Sequence, residues 1–77
     1  MSISPTKAWC DEDRLWVELE DGRTVAAPIA WFPRLLRASS AERAKVELSR
    51  RGLHWSELDE DISVSGLLAG LGSQNAA

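Results

Sequence analysis

From Leu15 to Glu20 the chain alternates strictly. Leu15, Val17 and Leu19 fall on one side, and Trp16, Glu18 and Glu20 on the other. That is the period of a half-buried strand. Asp21-Gly22 follows, a pair that suits a two-residue type I′ hairpin turn. Arg23–Ala27 then returns as a second strand. A two-residue loop pairs Glu20 with Arg23, Leu19 with Thr24, Glu18 with Val25, Val17 with Ala26 and Trp16 with Ala27. The predicted core face is therefore Leu15, Val17, Leu19, Thr24 and Ala26. Upstream, Lys7–Cys10 reads as a short strand, and Asp11-Glu12-Asp13 is polar enough to turn the chain.

Beyond Pro28 the period changes. Pro33 suits the first position of a short helix, where its missing N–H costs nothing, and Leu35 and Leu36 are available to bury it. Ser39 and Glu42 have the spacing of a capping box, which predicts a helix over Ala41–Arg51 with Ala41, Ala44 and Leu48 on one stripe. Gly52 is the expected left-handed residue after it, and Arg50 and Arg51 sit in the last turn. Leu53–Trp55 is a short strand and Glu57–Asp61 an acidic loop. Ser63 caps a final helix carrying Val64, Leu67, Leu68 and Leu71. The fold class is α+β: a small antiparallel sheet built on a β-hairpin, with two or three short helices on one face. The expected organisation is one domain over residues 1–71 and a disordered tail over 72–77.

Seventy-seven residues supply one core and no more. A single cysteine forms no internal disulfide, and with a single histidine it cannot build a Cys/His zinc site. The formal net charge of −3 is segregated. Six acids and three bases leave Met1–Pro33 at −3, six bases and two acids put Arg34–Arg51 at +4, and four acids with no base leave Gly52–Ala77 at −4. The middle segment reads as a basic helix, with Arg34, Arg37, Arg43 and Lys45 as a candidate patch. Such a pattern serves internal complementarity or the steering of a partner. No secretory, lipidation or membrane-spanning pattern is visible, and the chain reads as cytoplasmic.

Candidate chemistry is sparse. Trp9, Trp31 and Trp55 are assigned to the core. Trp16 shares its strand face with Glu18 and Glu20, so it is either covered by another element or an exposed interface anchor. His54 beside Trp55 is read as structural. Asp59-Glu60-Asp61 lacks the pattern of a calcium loop and reads as a solvated acidic run able to meet a basic partner. Cys10 lies beside three acids, which blunt a thiol. No nucleophile elbow, phosphate-binding glycine loop or triad is present. No enzyme activity, cofactor or metal is expected.

Three stretches then carry a resemblance: Asp21-Gly-Arg-Thr-Val25, Pro28-Ile-Ala-Trp-Phe-Pro-Arg-Leu-Leu36, and Gly52-Leu-His-Trp-Ser-Glu-Leu-Asp-Glu-Asp-Ile-Ser-Val64. Over roughly Trp9–Leu68 the chain resembles the small bacterial domain of unknown function 2442 family. Its signature falls here on Gly52, His54, Trp55, Asp59 and Asp61. Ser56 stands where proline is expected, and Gly66 lies inside the last helix. The resemblance implies a small α+β domain, and genes often paired with that of a second short protein, in arrangements similar to toxin–antitoxin pairs. It implies no catalytic residue.

The leading expectation is a non-catalytic protein-interaction module, antitoxin-like, that binds and restrains a small, toxin-like partner. Its contact residues are expected to be Trp16, Glu18, Asp59, Glu60 and Asp61 toward a basic partner, with Arg34, Arg37, Arg43 and Lys45 as the other surface. The alternatives are a nucleic-acid-associated regulator using the basic helix and an acidic decoy that occupies a nucleic-acid-binding groove. Homodimerisation through a strand edge or the Trp16 face fits a core of this size.

Overall fold

The computed structural model describes residues 3–70. Two antiparallel three-stranded meanders form the domain. The first contains β1 (Pro5–Cys10), β2 (Arg14–Leu19) and β3 (Thr24–Pro28). A single 3₁₀ turn (Ile29–Trp31) and two one-turn helices, α1 (Pro33–Leu36) and α2 (Ser40–Arg43), lead to the second. That meander contains β4 (Glu47–Leu48), β5 (Gly52–Trp55) and β6 (Glu60–Ser63), and α3 (Val64–Leu68) follows it. The fold is α+β, with two sheets where the sequence predicted one.

The first hairpin forms where the alternation placed it, but its register is shifted by one residue. Leu15 pairs with Ala27, Val17 with Val25 and Glu18 with Thr24. The Leu19 amide donates to Arg23 O, and the Gly22 amide donates to Leu19 O. The loop therefore has three residues, Glu20-Asp21-Gly22, with Gly22 left-handed at φ 94°. A type I turn closed by a left-handed glycine is the other common hairpin solution. The extra loop residue puts Val25 and Ala27 on the core side instead of Thr24 and Ala26. Ala27 is buried, while Thr24 and Ala26 are exposed.

The predicted helix over Ala41–Arg51 starts as expected and then fails. Ser39 accepts the Glu42 amide, and Glu42 reaches back to the Ser39 amide. The helix ends at Arg43, and Glu47–Leu48 pairs instead with Leu53–His54. Two alanines and one leucine bury too little to hold a polar helix that short. Pairing β5 on its open edge satisfies more backbone. Arg50 and Arg51 become the hairpin turn, closed by the Ser49 amide donating to Gly52 O. Gly52 is not a left-handed cap. It is buried, and a Cβ there would collide with the carbonyl oxygen of Ile62. The glycine is needed for the close approach of β5 and β6.

One core cluster draws on both sheets. Leu15, Val17, Leu19 and Ala27 come from the first, and Leu53, Trp55 and Ile62 from the second. Ile29, Phe32, Leu35, Val64 and Leu67 complete it from the turns and helices. The sheets are stitched at the Arg50–Arg51 turn, where Ser4 Oγ donates to Arg50 O. The Val64 amide donates to Arg51 O and extends the β5–β6 ladder. Ser63 caps α3 as predicted, accepting the Gly66 amide. Leu71 and the expected tail over 72–77 lie outside the described residues. Among the described residues, no helix is long and apolar enough to cross a membrane.

Candidate functional site

The fold divides the predicted acidic and aromatic surface between two sheets. Trp16 and Glu18 stand on the outer side of β2, alternating with buried Leu15, Val17 and Leu19. The Asp11–Arg14 turn puts Trp9 opposite Trp16. Their rings stack with centroids 6.2 Å apart and planes 6° apart. Lys7 Nζ lies 5.3 Å above the Trp9 ring. The Trp16 indole donates to Asp11 Oδ2 at 2.8 Å. On the third strand Ala26 lies beside Trp16. The outer face of the first sheet is thus a transverse row, Trp9–Trp16–Ala26, with Lys7 and Glu18 on one flank and Arg14 on the other. Trp16 is half-buried and Trp9 exposed.

Two of the expected core tryptophans are not core. Trp9 is 36% exposed and Trp31 40%. Trp9 is carried outward by the register of β1, and Trp31 by the 3₁₀ turn that sends Ile29 and Phe32 inward. Only Trp55 is buried, and its indole donates to Arg43 O at 3.0 Å.

The acidic run behaves as three separate residues. Asp59 is exposed and left-handed at φ 52°, closing the β5–β6 loop. Its carbonyl oxygen accepts the Arg34 guanidinium. Asp61 is exposed and meets His54 across the strands, Nδ1 to Oδ1, at 2.6 Å. Glu60, expected at the surface, is fully buried. Its Oε1 accepts only the Asp61 amide, and Oε2 has no partner among the described residues. Strand alternation turned Glu60 inward between Asp59 and Asp61, beside Ile62. The onset of β6 at Glu60 is the signal that an acidic-loop reading hides.

The expected basic helix does not exist as one helix. Arg34 lies on α1, Arg37 caps it, Arg43 ends α2, and Lys45 follows in the connection to β4. Arg43 turns back to donate to the carbonyls of Leu35 and Leu36. Lys45 pairs with Glu57 at 2.7 Å, which raises the Lys45 pKa. Three of the four bases thus tie connecting segments together. Cys10 lines a groove of about 360 Å³ between the end of β1 and α2, together with Trp9, Asp11 and Arg43. Burial raises its thiol pKa, Arg43 opposes that, and Asp11 adds to it. The leading cause is burial rather than the acidic neighbours.

Each signature residue has a place in the β5–β6 hairpin. Gly52 allows close strand approach, His54 and Asp61 pair across it, Trp55 fills the core beneath it, and Asp59 closes its loop. The model of the family described as "Protein of unknown function (DUF2442)" matches residues 5–73. The chain belongs to this family. A crystal structure described as that of a protein of unknown function from Rhodospirillum rubrum ATCC 11170 is similar throughout. It shares 36% sequence identity and a TM-score of 0.83, covering 99% of this chain and 96% of that one. No curated protein matches the chain. Among the described residues no group of three His, Cys, Asp or Glu side chains is placed to hold a metal ion.

Proposed function

We propose that this DUF2442 chain is a non-catalytic, cytoplasmic protein-interaction module, antitoxin-like, that binds and restrains a small partner protein. The observation that carries the reading is the stacked Trp9–Trp16 pair on the outer face of the first sheet, with Trp9 exposed and Trp16 half-buried among the described residues. Tryptophan is enriched among the residues that dominate interface binding energy, and exposed apolar clusters mark interaction surfaces. Four further large apolar side chains, Trp31, Leu36, Leu48 and Leu68, are exposed elsewhere on the described surface. The nucleic-acid reading gains no such support, because Arg34, Arg43 and Lys45 are engaged within the chain.

The test is affinity capture of the tagged chain from its own lysate, with and without nuclease. A small protein retained at near-equal stoichiometry, indifferent to nuclease and lost on Trp16→Ala, is the expected result. Retention that vanishes with nuclease would overturn the reading in favour of nucleic acid.

A further inference from the structure

The outer face of the first sheet has an internal symmetry. Pairing across the three strands gives transverse rows. The central outward row is Trp9–Trp16–Ala26. On one side lies the row of Lys7, Glu18 and Thr24. On the other lies Arg14, beside Pro28 and across the turn from Asp11. Two such faces can meet around a two-fold axis lying in the plane of contact. An axis along β2 would set Glu18 over Glu18 and Arg14 over Arg14. An axis along the tryptophan row exchanges the flanks. Glu18 then lies over Arg14 of the other copy, Arg14 over its Glu18, and Lys7 over its Asp11. The aromatic row meets its own counterpart at the centre. Aligned sheets pack about 30° from parallel, which tilts that axis without exchanging the rows.

From this we infer that the Trp9–Trp16 face binds a second copy of the chain, around a two-fold axis along the tryptophan row. The inference rests on the reading of this face as an interface and names its occupant. Charge complementarity chooses the axis: one orientation stacks like charges and the other pairs opposite ones. The pairing is intermolecular by necessity. Glu18 and Arg14 are four residues apart on one strand, about 13 Å, too far to meet within a chain. The face is three strands wide, about 14 Å, so the dimer belongs with small, weak interfaces.

The test is sedimentation equilibrium of the whole chain from about 10 μM to about 1 mM, the range of such interfaces. The expected result is a monomer–dimer equilibrium. Glu18→Arg and Arg14→Glu should each weaken it at least about tenfold, and the double variant should restore it. Mixing the two single variants should produce a heterodimer, because both cross-pairs are then complementary. Arg14 is exposed and Glu18 half-buried on the outer face, and circular dichroism checks that the variants fold. A wild-type chain monomeric throughout the range would overturn the inference. So would a dimer unmoved by either charge reversal. If the chain is monomeric while Trp16→Ala abolishes capture of another protein, only the choice of occupant fails. If it dimerises as described while capture ignores Trp16→Ala, only the partner-binding reading of the face fails.

Discussion

Asp11 and Trp16 are joined at the open end of the first hairpin: the indole N–H donates to Asp11 Oδ2 at 2.8 Å. The other carboxylate oxygen accepts the amides of Asp13 and Arg14, at 2.8 and 2.7 Å. One side chain thus closes the β1–β2 turn and fixes the ring that stacks on Trp9.

That arrangement predicts a pH dependence. The Trp16 hydrogen bond, followed by those from Asp13 and Arg14, lowers the Asp11 pKa below its ordinary 3.8. A depressed carboxylate stabilises the fold above its unfolded value and loses that contribution as pH falls through the folded one. The effect is present above pH 3.8 and disappears below it. The Trp16 indole proton, followed by NMR, should titrate with a midpoint under 3.8. Asp11→Asn should abolish that titration. A midpoint at or above the ordinary value would contradict the geometry.

Gly52→Ala should be among the most damaging single-methyl changes in the chain. The added Cβ meets backbone, the Ile62 carbonyl, and not a flexible side-chain end. The β5–β6 pair must shift, at a cost of at least about 2 kcal/mol. Urea unfolding measures it. Gly22→Ala meets no atom and strains only the left-handed turn, so it should cost about 1 kcal/mol.

Glu60→Met should stabilise the protein. Among the described residues the carboxylate is fully buried with Oε2 unpartnered, and Oε1 accepts only the neighbouring Asp61 amide. An unbranched apolar chain of similar volume removes that cost, raising stability by at least about 1 kcal/mol. A lower urea midpoint for the variant would show that Glu60 has a partner that offsets its burial.

The tryptophans separate cleanly by position. Trp55→Ala empties the core and frees the Arg43 carbonyl, costing about 3–5 kcal/mol. Trp31→Ala, at a position 40% exposed, should cost about 1 kcal/mol or less. Thermal unfolding of the two variants distinguishes them directly.

Local rules were readable wherever one interaction decided the outcome. The Leu15–Leu19 alternation, Pro33 opening α1, and the Ser39 and Ser63 caps all appear as the sequence implied. Errors entered where two local solutions competed. Asp-Gly serves both the two-residue and the three-residue hairpin, and that one residue of loop moved the inward face of β3. Ala41–Arg51 has helical composition, but its thin apolar stripe lost to the unpaired edge of β5. The Trp9–Trp16 pair was within reach: an Asp11–Arg14 turn aligns them by counting. The burial of Glu60 was not, because it depends on where β6 begins, and that is set by packing on Trp55 and Ile62. The charge segregation was visible, but which bases serve internal ties is a property of the folded loops.

The stitch at Arg50–Arg51 bears on how the chain folds. Each meander is made from hairpins of sequence neighbours and can zip from its own turns. Such local topology favours rapid folding. The bond from Ser4 to that turn spans the two sheets and can form only once both exist. It marks the late step, when the halves dock and the shared core closes.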